Sequence, residues 1–438
     1  MTQLLIGGLR SGHDQLVRAA LAAEGLAARV LEPCDGAALA AGRAVLARGH
    51  CNPVYYLAGA LVRSLEAAAR DGAADGPTVA ASHALVSVGS CGPCRFASYA
   101  GEYRRAAAAA GFAGLPVLTL EQTAPAPTQG LSAAGLHLGA RTLARLVRAL
   151  VLADVLEAAA SRARPGAGDP TAVDRAVTEA RTTLVHALAA RGAVRPALRA
   201  LRAALAQLPG RVRAGASPRV RVRITGELFA ALSDGEPLHD VARWLERRDA
   251  EVTLPTVAEW LLYLCWQARG PHDPRAALAR RAERLVRRLY HRDAAALGLP
   301  ATLPDLDDLA ALAGPHYAPA LRGGLGHLEV ATYLACARDR SAELVVSVKP
   351  FGCLPSSALS DGVLPALART RRPVFVALET TGDATTQLES RLELALDQAR
   401  ARLARAQPPA RPAQGPARPG VSTSNQSSPP RPRRSDTT

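Results

Sequence analysis

Four of the seven cysteines in this 438-residue chain stand in turn-forming sequences. Cys51 lies in His50-Cys51-Asn52-Pro53, Cys91 and Cys94 in Cys91-Gly92-Pro93-Cys94, and Cys353 in Lys349-Pro350-Phe351-Gly352-Cys353-Leu354-Pro355. Thiolates bind soft metals and exchange disulfides. Turns at such positions let several thiolates converge while backbone N–H groups stabilise their charge. Two close cysteines with two distant ones suit an iron–sulfur cluster held between two lobes. Four thiolates would complete a [4Fe-4S] site, and three would leave one iron open to substrate. Zinc takes the same number of ligands, but zinc ribbons and fingers keep them within one short module. A separation of 259 residues between Cys94 and Cys353 disfavours zinc.

A Cys-Gly-Pro-Cys run between a strand and a helix is also the active-site pattern of thioredoxins, where a helix N-terminus lowers the thiol pKa. Ser90 stands where thioredoxins carry tryptophan, and that reading leaves Cys51 and Cys353 without a task. The other cysteines are weaker candidates. Cys265 and Cys336 fall on apolar helical faces and read as small core residues. Cys34, in Glu32-Pro33-Cys34-Asp35, stays open. Around the four turn cysteines, Asn52, Lys349, Glu227 and Ser356 are candidates to touch the cluster's thiolates or a substrate. Lys349 would hold a phosphate or carboxylate there, or else cap a helix or turn, and Glu227 would face the cleft just after a strand. His50, beside Cys51, is the one histidine worth following, because the ten histidines show no HxH or HExxH spacing.

Composition marks the same places. The chain has one Lys, two Asn and two Ile. Of its 19 Phe, Tyr, Met, Ile, Asn and Lys residues, eight fall within windows 51–56, 91–104 and 349–353, where uniform scatter would put about one. Each window contains cysteine, so these residues are held against a compositional drift towards Ala, Arg, Leu, Gly and Pro.

The formal net charge is +15. Residues 141–213 contribute +8 and residues 407–438 contribute +4. Basic and aromatic residues are not interleaved and no zinc-finger spacing occurs, which disfavours nucleic acid. The plain reading of the excess is arginine on solvated faces, and the alternative is a basic groove for phosphates or an acidic partner. No apolar run of 18 residues occurs, and the N-terminus has neither a basic region nor a long apolar stretch. The expectation is a soluble, cytoplasmic protein without a membrane partner.

The elements that must position the cysteines read as α/β: two Rossmann-like parallel-sheet lobes with a helical insert between them and a disordered C-terminal tail. Strands are expected at 3–8, 28–31, 84–89 and 115–120, with helices at 13–24, 54–70 and 95–110, giving an N-terminal lobe over 1–128. Residues 129–215 form the Ala/Arg-rich helical insert, broken at 164–170 and at Pro196. Strands at 219–228, 251–255, 343–348 and 374–379 with helices at 238–248, up to 297 and at 386–405 build the C-terminal lobe over 216–406. Residues 407–438, with eight prolines, read as disordered.

Several segments together resemble the 2-hydroxyacyl-CoA dehydratase component family, in particular its branch of CoA protein activases and activase-related proteins. They are GHCNPVYYLAGAL (49–61), VGSCGPCRFASYAGEYRRA (88–106), GFAGLPVL (111–118), ITGELFA (224–230), WLERRDAEV (244–252), EWLLY (259–263), SVKPFGCLPSSALSDGV (347–363) and ESRLELALDQA (389–399). The resemblance implies two α/β lobes around a [4Fe-4S] cluster, with ligands carried over to Cys51, Cys91, Cys94 and Cys353. It implies a lyase component that receives one low-potential electron from an ATP-driven activator and passes it to a 2-hydroxyacyl-CoA, whose ketyl radical then loses water. No DxGxT-type phosphate motif is present, so the activator would be a separate protein, and a second dehydratase-like subunit is a further implied partner. The alternatives are a non-catalytic iron–sulfur scaffold or sensor and a Cys-Gly-Pro-Cys thiol–disulfide oxidoreductase.

Overall fold

The computed structural model describes residues 2–89, 94–120, 128, 131–132, 136–210, 218–233, 240–270, 272–321, 323–382 and 385–406. Cys91 and the tail 407–438 lie outside the described residues.

Strands β1 (Gln3–Ile6), β2 (Ala28–Val30), β3 (His83–Val88) and β4 (Val117–Leu120) form one sheet in the order β2-β1-β3-β4. Strands β5 (Arg221–Gly226), β6 (Glu251–Thr253), β7 (Leu344–Pro350) and β8 (Val374–Thr380) form a second sheet in the order β6-β5-β7-β8. Every pairing is parallel, as in Leu4↔Ala28, Leu85↔Val117, Val222↔Leu344 and Val346↔Val376. Helices cover both faces of such sheets, so the central strands read as short apolar runs rather than alternating ones. In each sheet the chain moves to one side after the first strand and later to the other. This places a switch-point crevice beyond the C-terminal ends of β1 and β3 in one lobe and of β5 and β7 in the other.

The helices are α1 (Ser11–Ala22), α2 (Gly36–Val45), α3 (Asn52–Gly72), α4 (Gly76–Ser82), α5 (Tyr99–Ala109), α6 (Ala140–Ala163), α7 (Pro170–Ala189), α8 (Arg195–Gln207), α9 (Leu228–Leu232), α10 (Val241–Arg247), α11 (Val257–Gln267), α12 (Ala276–Leu297), α13 (Leu306–Ala313), α14 (His327–Asp339), α15 (Leu354–Ser357), α16 (Leu364–Ala368) and α17 (Thr385–Arg405). None among the described residues is long and apolar enough to cross a membrane.

Helix α2 has no counterpart in the sequence reading. Its Ala/Gly-rich run lacks an apolar period, yet its glycine has a packing reason. A Cβ on Gly42 would overlap the carbonyl of Tyr55, and one on Gly59 the carbonyl of Ala38, so α2 and α3 cross at backbone contact.

The helices of residues 129–215 share a core with helices of both flanking lobes. Leu152 and Val155 of α6, Leu184 of α7 and Leu198 of α8 share one core with Leu16 of α1, Leu262 of α11, Val286 of α12, Leu309 of α13 and Val330 of α14. Burying each such leucine stabilises the fold by about 2 kcal/mol. The two sheets keep their own cores, around Leu5, Leu61 and Tyr103 in one lobe and Ile224, Val346 and Leu396 in the other. Strand β7 runs two residues further than expected, through Lys349 and Pro350, because β8 continues beside it with Lys349↔Glu379 and Pro350↔Thr380. Proline is tolerated at a strand end, where its missing N–H breaks no ladder bond.

Candidate metal centre

Cys51, Cys94 and Cys353 occupy equivalent local positions. Cys51 is the N-cap of α3, Cys94 that of the 3₁₀ turn Arg95–Ser98, and Cys353 that of α15. All three have extended backbone, with φ/ψ of −72°/147°, −71°/127° and −73°/108°. N-caps are ordinarily Ser, Thr, Asp or Asn, whose oxygens accept first-turn N–H groups. Cysteine there sets sulfur beside those donors, and none of the three thiols makes a side-chain cap bond. Pro53 and Pro355 sit in the first turns of α3 and α15, where their missing N–H costs nothing.

The lobes meet at the cysteines. The backbone N–H of Asn52 donates to Phe351 O at 3.1 Å, and Asn52 Nδ2 donates to Thr380 O at 3.4 Å. Gly352, at φ +78°, lies so close to the other lobe that its Cβ would stand 3.3 Å from Cys51 Cα. Cys51 and Cys353 are thus brought to one junction, both buried. Cys94 is half-buried beside them, and charge on it pushes both of their thiols up.

Two groups touch the sulfurs directly. The Tyr99 hydroxyl lies 2.9 Å from Cys51 Sγ. Tyr99 is itself buried between the edge-on rings of Phe96 (4.8 Å) and Tyr103 (6.0 Å). On the other lobe buried Ser356, three residues on, opposes the rise of the Cys353 thiol through its N–H and hydroxyl. Burial pushes the Cys51 thiol up to about 11 and the Cys353 thiol up to about 12, with Glu227 adding to both. Glu227 therefore lies near enough to both cysteines for its charge to act on them. It caps α9 by accepting the Ala230 N–H at 2.8 Å, and burial pushes its carboxyl up.

Lys349 does not stand free to receive an anion, nor does it cap a helix or turn. Its buried Nζ meets Asp361 Oδ2 at 2.5 Å, Glu379 Oε1 at 3.4 Å and Ser357 Oγ at 3.1 Å. Burial pulls its pKa down, but these carboxylates outweigh burial and the net shift is upward. Beneath the Cys353 turn lies a polar network that sequence reasoning missed. Fully buried Glu329 on α14 accepts Ser347 Oγ at 2.5 Å and Ser360 Oγ at 2.8 Å through the same oxygen, Oε1. A π-helical turn at Ala358–Val363 carries Ser360 and Asp361 into this network, and such turns concentrate at functional sites. The serines of Ser347, Ser356, Ser357 and Ser360 were its only sequence signal.

On the rim, His50 Nε2 lies 3.4 Å from buried Glu102 Oε2, and Arg105 pairs with the same carboxylate. Cys34 packs against the N-terminal core, its thiol pushed up to about 12 by burial and then by Asp14 and Asp35. Cys336 is buried in the helical core, and Cys265 is half-buried on α11.

Compared with models of known families and with characterised proteins, the chain matches none. Among the described residues, no three His, Cys, Asp or Glu side chains approach closely enough to hold one metal ion. Ligands of a single zinc must all lie about 2.0–2.3 Å from one point. Thiolates of a [4Fe-4S] cluster bind separate irons and stand further apart. An all-sulfur donor set at N-cap positions, with a tyrosine hydroxyl against one of its sulfurs, suits the second arrangement.

Proposed function

We propose that the chain binds a [4Fe-4S] cluster through Cys51, Cys91, Cys94 and Cys353. It would act as a component similar to 2-hydroxyacyl-CoA dehydratases, passing a low-potential electron from a separate ATP-dependent activator toward an acyl-CoA. The observation that carries this reading is the meeting of Cys51 with the Gly352–Cys353 turn across the junction of two lobes. When bound, the cluster supplies one-electron chemistry at low potential. The chain's own residues hold and tune it: helix N-termini and the hydroxyls of Tyr99 and Ser356 favour thiolate on Cys51 and Cys353. Burial keeps water from the sulfurs of Cys51 and Cys353, and Tyr99 and Glu227 are the neighbouring groups able to carry a proton there.

Burial that raises isolated thiols argues against a disulfide-exchange role for Cys51 and Cys353, because exchange requires accessible thiolate. The test is iron, acid-labile sulfide and an EPR spectrum on protein purified without oxygen. About four of each per chain are expected, with Cys353→Ala and Cys51→Ala losing the signal. Normal iron in Cys353→Ala overturns the junction site. A colourless protein whose Cys91 and Cys94 cycle between dithiol and disulfide would establish the thiol-exchange reading instead. A cluster that forms but neither accepts an electron from an activator nor responds to CoA esters would establish the scaffold or sensor.

A further inference from the structure

The positive charge of residues 141–213 gathers partly in one cavity. Arg195, Arg199 and Arg202 recur at i, i+4 and i+7 along α8 and so share a face. With Arg292 of α12 they line a cavity of about 680 Å³ whose remaining wall is alanine. No acidic residue lines it. Among the described residues, Arg195, Arg199 and Arg202 have no carboxylate partner. Their neighbours on the same helical unit do: Arg145 pairs with Glu24, Arg164 with Glu246, and Arg175 with Asp169.

Arg292 is held in place from beneath. Its Nε and Nη2 donate to fully buried Asp293 at 3.0 and 3.5 Å, which leaves the Nη1 edge uncommitted. Asp293 also lies 3.7 Å from Arg148. Burial pulls Arg148 down, Asp293 opposes that fall, and Arg292 and Arg195 add to it. The cations here are therefore close enough to repel one another. Such an arrangement is relieved when an anion enters among them. Guanidinium forks match phosphate oxygens two at a time. No aromatic ring lines the cavity, so a nucleic-acid base would find no surface to stack on.

We propose that this cavity binds an anion carrying two or more linked phosphates. It is a site distinct from the cysteine junction and does not depend on the cluster. Arg191, four residues before Arg195, donates to Ala23 O just past the C-terminal end of α1. That end of the N-terminal lobe is opposite the strand C-termini where the cysteines lie. The phosphates could come from free polyphosphate or from the diphosphate of a nucleotide, and both present the same chemistry.

The test is titration calorimetry on the full chain at low salt with inorganic tripolyphosphate, ADP and an oligothymidylate. Saturable binding of tripolyphosphate or ADP is expected. Arg199→Gln and Arg292→Gln should each weaken it by about tenfold or more, as loss of a charge-assisted bond does. Arg281→Gln, exposed on α12 outside the cavity, should leave it unchanged. Because Arg195 and Arg199 are exposed, Arg195→Gln gives a second variant whose melting temperature should match the wild type. Tighter ADP assigns the nucleotide as source, and tighter tripolyphosphate assigns the free polyanion. Absence of binding, equal weakening by Arg281→Gln, or oligothymidylate binding more tightly than either probe overturns the proposal.

Discussion

The Asn52 N–H and the Phe351 carbonyl, 3.1 Å apart, join the first turn of α3 in one lobe to the turn after the central strand of the other. Cys51 precedes Asn52 and Cys353 follows Phe351 by two residues, so this bond between the lobes lies beside both cysteines.

Gly352 lies within this contact at φ +78°, a left-handed conformation that favours glycine. Its missing side chain is what admits Cys51. Gly352→Ala is expected to destabilise the fold by about 1–3 kcal/mol and to lower the iron retained after anaerobic purification. A variant with unchanged denaturation midpoint and iron content would show that the turn does not govern the junction.

Tyr99→Phe removes the hydroxyl 2.9 Å from Cys51 Sγ while keeping the ring between Phe96 and Tyr103. Hydrogen bonds to ligand sulfur disperse negative charge and favour the reduced cluster. The reduction potential should fall by on the order of tens of millivolts, read by EPR-monitored titration, with little change in melting temperature. A potential equal to that of the wild type would show that the hydroxyl does not act on the ligand.

Asp154 joins three parts of the fold. Buried on α6, it meets His13 Nε2 of α1 at 3.0 Å and accepts the Val257 and Ala258 N–H groups at the start of α11 at 3.0 and 2.8 Å. Asp154→Ala leaves those donors buried and unmatched, and should cost about 3–5 kcal/mol in urea denaturation. Asp154→Asn, which keeps an acceptor oxygen, should cost less. Equal losses would show that packing rather than hydrogen bonding is responsible.

Asp174 of α7 ties the helical unit to α10 through Arg243 (2.8 Å) and also accepts Arg164 at 2.9 Å. Burial raises its carboxyl pKa, but Arg243 and Arg164 outweigh burial and hold it below the ordinary value. A depressed carboxyl contributes stability that is present above its unfolded pKa and lost as pH falls through the folded one. Because Asp174 is partly exposed, Asp174→Asn should cost only about 0.5–1 kcal/mol at neutral pH. The gap between variant and wild type should close as pH falls below the ordinary carboxylate range. A gap independent of pH would refute the ionic origin.

Both parallel sheets were legible because short apolar runs bounded by Gly and Pro mark buried strands, and Pro196 and Pro209-Gly210 mark the ends of α8. Helix α2 was not legible, because the glycine that lets it cross α3 reads as a helix breaker when its partner is unseen. The cysteine turns could be picked out for the same local reason as the strands: Gly and Pro next to cysteine are visible in one window of sequence. The roles of Lys349 and Tyr99 were not. Lys349 is matched by Asp361 and Glu379, 12 and 30 residues away, and Tyr99 meets Cys51 across 48 residues.

The amino-acid sequence by itself determined which residues form the strands, which cysteines stand in turns, and that most of the excess charge is divided between the helical segment and the C-terminal tail. Local propensity and periodicity act over a few residues and suffice for that. Only the tertiary structure decided that the Gly352–Cys353 turn meets Cys51, that the helices of 129–215 share a core with helices of both lobes, and that four arginines share one cavity. Each of these depends on how two parallel sheets and their crossover helices dock. That docking is set by side-chain packing and hydrogen bonds between residues far apart in the chain, which no local pattern encodes.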